Sequence, residues 1–357
     1  MRCFRILAVF VLLALPAAAE LPAGMITVAP LVQQVTPGVV NISTRTMGAE
    51  QDNPLLNDPF FRRFFNIPRE QLRPRETRAA GSGVIVDARR GYVVTNFHVI
   101  ENADRIEVTT KDNRTLKARL VGADPETDVA VLKVEGDGLQ GLPWGNSDAV
   151  RVGDFVLAIG NPFGLGQTVT SGIVSATGRS GLGIEGYEDF IQTDASINPG
   201  NSGGALVNFK GELIGINTAI LAPGGGNIGI GFAVPINMVR SVMDQLVAHG
   251  EIKRGRVGVA IQDLTPDIAQ ALNLKDTQGA VVVEVEPGSP AARAGLKRGD
   301  VVLSLNGEPV RSATELRNRI GLTAVGSKVA MAVDRSGSRV TVDVKVEPQP
   351  KRRVLRE

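Results

Sequence analysis

Short β-branched runs separated by glycine and proline turns recur from Val39 to Val234, among them Val84-Ile85-Val86, Ile106-Glu107-Val108, Val156-Leu157-Ala158-Ile159 and Leu213-Ile214-Gly215-Ile216. Runs this short, closed by turn residues at close spacing, predict a mainly β unit, a barrel or a sandwich. The period then changes. From Asn237 to His249 the apolar Met238, Val239, Val242, Met243 and Leu246 fall at helical spacing and Gly250 follows, so a helix leading out of the first unit is expected, with 238–254 as a helical linker. His249 itself reads as structural, because a cation is favourable at a helix C-terminus. A second unit spans 255–347, where Arg256-Val257-Gly258-Val259, Gly288-Ser289-Pro290-Ala291-Ala292-Arg293-Ala294-Gly295-Leu296, Gly299-Asp300-Val301-Val302 and Asn306-Gly307 alternate turns with apolar runs. At the other end, Arg2 and Arg5 precede the apolar Ile6 to Leu15, and Pro16-Ala17-Ala18-Ala19 supplies small residues, so 1–19 reads as a cleavable signal peptide. An apolar run of about ten residues is short of the roughly twenty that span a bilayer, so membrane attachment is expected only if this segment is kept. Residues 20–38 then form an N-terminal segment, and 348–357 a basic tail.

The 357 residues exceed one ordinary domain. The formal charge is +2, and loss of 1–19 leaves 37 basic against 37 acidic residues, a balance that argues against nucleic acid as a partner. The sole cysteine, Cys3, departs with the leader, so the fold depends on core packing without disulfides even in an oxidising compartment. Two histidines far apart, with no cluster at ligand spacing, point to no metal and no cofactor. Gly224-x-Gly226-x-x-Gly229 formally fits a dinucleotide fingerprint, but it leads into the strand-like Ile230-Gly231-Phe232-Ala233-Val234-Pro235 and so offers no helix N-terminus to a pyrophosphate.

Gly200-Asn201-Ser202-Gly203-Gly204 carries the candidate chemistry. A serine among glycines on a tight turn suits an exposed nucleophile, with neighbouring N–H groups turned towards a developing oxyanion; Gly200, Asn201 and Ser202 are the candidate hole. A serine hydroxyl needs a base, usually a histidine oriented by a carboxylate. His98, just after the strand-like Tyr92-Val93-Val94, is the candidate base. Asp128, opening the run to Val134, is the candidate carboxylate, with Asp124 and Asp154 as competitors better suited to bonding turn backbones. The order His98, Asp128, Ser202 is that of chymotrypsin-type enzymes rather than subtilisins or α/β-hydrolases.

Thr95-Asn96-Phe97-His98-Val99, Thr127-Asp128-Val129-Ala130-Val131-Leu132 and Gly200-Asn201-Ser202-Gly203-Gly204-Ala205-Leu206 together resemble the HtrA/Deg serine proteases, as does Gly211 to Thr218 continuing through Gly229 to Pro235. The resemblance covers nearly all of the mature chain. It implies a chymotrypsin-like double β-barrel over 39–237, with the triad in the cleft, followed by a PDZ domain whose sheet edge takes up peptide C-termini. It further implies that Arg256, Val257, Gly258 and Val259 form the carboxylate loop, Ile261 continues the edge strand, and Leu316 and Ile320 line the groove, unless these last two are plain core. Ile197 and Ile230 would stand at the primary pocket beside Ser196, a position without the acid that a trypsin-like preference requires, unless the two are ordinary strand packing; small aliphatic residues are then expected. Asn201 replaces the acid that pairs with a newly cut N-terminus in zymogens, so activation is expected from peptide binding to the PDZ module. The insertion 47–79, with Phe60, Phe61, Phe64 and Phe65, would act as a regulatory loop reaching a neighbouring subunit in a homotrimer or higher oligomers. Phe97 departs mildly from the smaller or polar residue common there. The protease segment looks like the DegP/DegQ branch, whereas one PDZ module is a DegS-like layout. The implied function is an ATP-independent periplasmic endopeptidase of unfolded polypeptides; the alternatives are a regulatory protease with one anti-sigma-type partner, and a chaperone or peptide-binding scaffold.

Overall fold

The computed structural model describes residues 27–46, 77–162, 166–198, 200–220, 228–272, 274 and 278–349. The expected leader 1–19, the four phenylalanines of the insertion and the tail from 350 lie outside these residues. Helix α1 (Ala29–Val35) and a short 3-10 turn lead into the first barrel, built from β1 (Val39–Thr46), β2 (Thr77–Asp87), β3 (Tyr92–Thr95), β4 (Arg105–Thr109), β5 (Thr115–Asp124) and β6 (Val129–Val134), with α2 (Phe97–Ile100) after β3. The second barrel comprises β7 (Phe155–Gly160), β8 (Thr168–Arg179), β9 (Phe190–Thr193), β10 (Ala205–Asn208), β11 (Leu213–Ile220) and β12 (Gly231–Pro235). Both sheets close, in the orders β1-β2-β3-β6-β5-β4 and β10-β11-β12-β9-β8-β7.

The unbroken apolar runs have a physical reason. Side chains alternate faces along a strand, and here both faces are buried. In β6, Ala130, Leu132 and Val134 fill the first barrel while Val129 and Val131 join a layer between the barrels. In β7, Val156 and Ala158 fill the second barrel while Leu157 and Ile159 join the same layer. Helix α3 (Ile236–His249) seals that layer with Met238, Val239, Val242, Met243 and Leu246, and ends at Gly250 in the left-handed conformation. At about 1.5–3 kcal/mol for each fully buried side chain, this face outweighs any intrinsic helix preference. The expected linker helix therefore packs back on the two barrels.

Beyond it, β13 (Gly255–Arg256) pairs with β20 (Glu347–Pro348). Between them lie β14 (Val259–Asp263), α4 (Pro266–Ala271), β15 (Ala280–Val285), α5 (Pro290–Ala294), β16 (Val301–Leu305), β17 (Glu308–Pro309), α6 (Ala313–Leu322), β18 (Lys328–Arg335) and β19 (Ser338–Lys345). The sheet order β14-β15-β16-β18-β19 leaves β14 at an edge. Ser312, Ser289 and Thr265 cap their helices as serine and threonine should, each accepting a backbone N–H of the first turn.

Candidate active site

Asp128 lies one residue ahead of β6, so it does not open the strand as its sequence run suggested; it occupies the turn before it, with φ 54°. This left-handed backbone costs a non-glycine residue roughly 1–2 kcal/mol, and local bonds hold it. The Asp128 carbonyl accepts from the Phe97 N–H (3.1 Å) and from Asn96 Nδ2 (3.0 Å). Its carboxylate, 2% exposed, accepts three further bonds: the His98 N–H on Oδ1 (2.9 Å), and His98 Nδ1 (2.7 Å) and Thr218 Oγ1 (2.7 Å) on Oδ2. The three donors fix the carboxylate in place, and its bond to Nδ1 orients the imidazole and leaves Nε2 free for the reaction. Burial favours neutral His98, but the bond to Asp128 and its charge outweigh that and hold the imidazole above its ordinary range.

Ser202 sits on the turn ahead of β10, and its Oγ donates to the Thr218 carbonyl at 3.2 Å. Thr218 thus touches both the carboxylate and the serine from β11, a role no sequence signal marked beyond its place at the end of the Gly211 to Thr218 stretch. Asn201 is 2% exposed and its N–H is spent on the Asn198 carbonyl (2.9 Å). This corrects its inclusion among the hole donors and leaves the N–H groups of Gly200 and Ser202. Among the described residues neither has a partner. Of the competitors, Asp154 accepts from the Arg151 N–H in a turn, as expected, whereas Asp124 is buried against Arg254 at 2.6 Å. Phe97 packs against the interior of the first barrel. Ser196 holds its place in the loop before Ser202, its carbonyl accepting from Thr170 Oγ1 (2.8 Å). Ile197, 1% exposed, is sealed in the interior of the second barrel, as burial of a branched side chain favours, so it is corrected from pocket to core. Ile230 is half-buried against the inter-barrel layer.

The loop 180–189 brings in residues the sequence did not single out. Glu188 collects the N–H groups of Leu182 (2.7 Å), Ile184 (2.6 Å) and Glu185 (3.1 Å), and although burial opposes its charge, these bonds hold its carboxyl below the usual range. Burial, then the negative charge of Asp128, push Glu185 up to about 7, while His98 pulls the other way. Tyr187 is clasped between Arg254 (4.1 Å from guanidinium to ring centre) and Arg317 of α6 (5.4 Å). A Cβ on Gly321 would lie 2.5 Å from the Tyr187 ring, so only glycine allows this contact. Asn318 Nδ2 donates to the Glu188 carbonyl (2.8 Å) and Arg317 to that of Gly186 (3.0 Å), fastening the loop to the C-terminal module.

In that module the loop before β14 turns at Gly258 (φ 80°), and the exposed edge of β14 borders a groove of about 670 Å³. Arg256, Val257, Gly258, Val259 and Ile261 line it, as expected, together with Ile320. Leu316 does not; it is fully buried in the module core, and Arg317 and Tyr187 stand along the groove instead.

Comparison with known proteins agrees with this geometry. A trypsin-like peptidase domain matches residues 81–216 and a PDZ domain matches 255–346. The periplasmic pH-dependent serine endoprotease DegQ of Escherichia coli K12 is 50% identical over 324 residues, which cover 90% of this chain and 70% of that protein. The periplasmic serine endoprotease DegP of the same organism is 53% identical over 277 residues, 77% of this chain and 58% of that one. The solved HtrA-type protease AlgW with a tripeptide superposes with a TM-score of 0.67 at 44% identity, covering 91% of this chain and 98% of that one. A double barrel of chymotrypsin type, a PDZ domain and relatives at this identity together make the chain a member of the HtrA/Deg family of serine endoproteases.

Proposed function

We propose that His98, Asp128 and Ser202 are the catalytic triad of an ATP-independent endopeptidase that degrades unfolded polypeptides in the periplasm and is regulated by peptide C-termini in the PDZ groove. The observation that carries the reading is the buried Asp128 carboxylate holding His98 Nδ1 at 2.7 Å, with Thr218 touching both that carboxylate and Ser202. For the reaction, the Ser202 hydroxyl exchanges the Thr218 carbonyl for His98 Nε2 as its acceptor. The imidazole then accepts the hydroxyl proton as Oγ attacks a peptide carbonyl, and Asp128 stabilises the imidazolium. The N–H groups of Gly200 and Ser202 receive the oxyanion. His98 returns the proton to the leaving amine, and water releases the acyl-enzyme by the reverse sequence.

The neutral Ser196 and the branched Ile230 favour small aliphatic residues at the primary pocket. The periplasmic assignment rests on the names of the relatives; among the described residues no helix is long and apolar enough to cross a membrane. A homotrimer is the assembly that the family likeness favours. The test is casein degradation by wild type and Ser202→Ala, with and without peptides ending in apolar residues. Cleavage that needs Ser202 and rises with peptide is expected, with a loss of about a millionfold in rate for the variant. Equal protection of aggregating substrates by both proteins, without degradation by either, would replace this reading with a scaffold.

A further inference from the structure

Ser82 is a buried hydroxyl that the triad does not use. It lies on β2 of the first barrel, fully buried, yet it grips the backbone on both sides of Asn201 in the second barrel. Its Oγ donates to the Gly200 carbonyl (2.5 Å) and accepts from the Asn161 N–H (2.7 Å). Its own N–H donates to the Ser202 carbonyl (2.9 Å), and its carbonyl accepts from Thr95 Oγ1 (2.7 Å). Asn41 Nδ2 in turn holds the Asn161 carbonyl at 2.9 Å, so the donor to Ser82 is itself fixed from the first barrel. A Cβ on Gly203 would fall 2.1 Å from the Ser82 carbonyl oxygen, which shows how little room separates the two chains.

We propose that Ser82 is a positioning residue that sets the oxyanion hole; this rests on reading Ser202 as the nucleophile. The peptide joining Gly200 to Asn201 lies between the two N–H groups assigned to the hole. Gly200 has φ 100°, a backbone free to rotate unless something holds its carbonyl. The Ser82 hydroxyl supplies that restraint at the carbonyl end of the peptide. It holds the carbonyl of this peptide while the Asn198 carbonyl holds its Asn201 N–H, so the peptide plane is fastened at both ends. Without it, a buried carbonyl loses its partner, and rotation of this peptide turns an oxygen acceptor towards the place where negative charge develops. A hole with one donor displaced loses roughly a hundredfold or more in turnover, so partial occupancy of the rotated state predicts a smaller loss.

The measurement is steady-state hydrolysis of a small-aliphatic peptide substrate by the full chain, comparing wild type, Ser82→Ala and Ser147→Ala. Ser147 is a buried hydroxyl that accepts from the Asn237 N–H at the start of α3, and it controls for loss of stability alone. Ser82→Ala is expected to lower kcat roughly tenfold to a hundredfold with KM within about threefold. The affinity for a peptidyl boronate, whose tetrahedral adduct places an oxygen in the hole, should fall by the same factor, whereas Ser147→Ala leaves both within twofold. If Ser82→Ala does not fold, Ser82→Cys, which fills the site but donates weakly, carries the same expectation. Loss of melting temperature with kcat and boronate affinity unchanged overturns the proposal. Wild type and Ser202→Ala inactive alike towards substrate and boronate would overturn the nucleophile reading first, and this proposal with it.

Discussion

Glu185 brings a second carboxyl within electrostatic reach of His98. With its carboxyl pushed up to about 7, first by burial and then by Asp128, it is neutral in mild acid and ionised above neutrality, where its charge supports the imidazolium. Activity requires neutral His98, so removing that charge should move the acid limb of the kcat/KM profile to lower pH. For Glu185→Gln we expect a shift of roughly half a unit; a limb that stays fixed or moves upward would sink the assignment. Ser202, His98 and Asp128 could be proposed from the sequence because three short motifs in one chain order suit one chemistry, and Asp128 does lie on His98, with Thr218 touching both Asp128 and Ser202. Thr218, Ser82 and Glu185 could not be proposed in this way. Thr218 lies 90 residues from Asp128 and Ser82 118 from Gly200, and only closure of two barrels on one another brings those groups into contact. Asn201 and Ile197 were misplaced for a related reason. A motif names the residues near a reaction but not the direction each side chain or N–H takes, which is set by bonds to Asn198 and by burial in the second barrel.

The loop 180–189 is the element that joins the cleft to the C-terminal module, and its end carries a carboxyl in an unfavourable place. Burial, then the charge of Glu315 on α6, push Asp189 up to about 7; Asp148 adds to this while Arg311 and Arg319 oppose it. The folded state therefore keeps a proton that the unfolded chain gives up near its ordinary pKa of 3.8, and stability falls as pH rises through the window from about 4 to 7. Asp189→Asn should leave the melting temperature unchanged at pH 4 and raise it at pH 8, by scanning calorimetry of the full chain; an equal shift at both pH values would show that the carboxyl's proton is not involved. Strand content was legible from the short β-branched runs, and α3 from its spacing. What its spacing could not convey is the surface that helix covers, because amphipathic helices at a domain exit and across a core look alike in sequence.

Across the whole molecule, a barrel pair and a peptide-binding module share one loop. The β14 edge and the Gly258 turn suit a peptide with a free terminal carboxylate. A labelled peptide ending in an apolar residue should bind the intact chain at least about tenfold more tightly than its C-terminal amide, by fluorescence anisotropy; equal binding of the two would mean that the Arg256 to Val259 turn does not receive a carboxylate. Tyr187 is a residue of the protease, yet it forms one wall of the groove. An excised module consisting of 255–346 therefore lacks that wall, and ligand preferences selected from a peptide library on the fragment will differ from those of the intact enzyme. Reciprocity extends the point: if groove occupancy alters how tightly the cleft holds a reversible inhibitor, that inhibitor must alter groove affinity by the same factor. Under such coupling, the apparent sequence taste of this module would depend on the state of the active site.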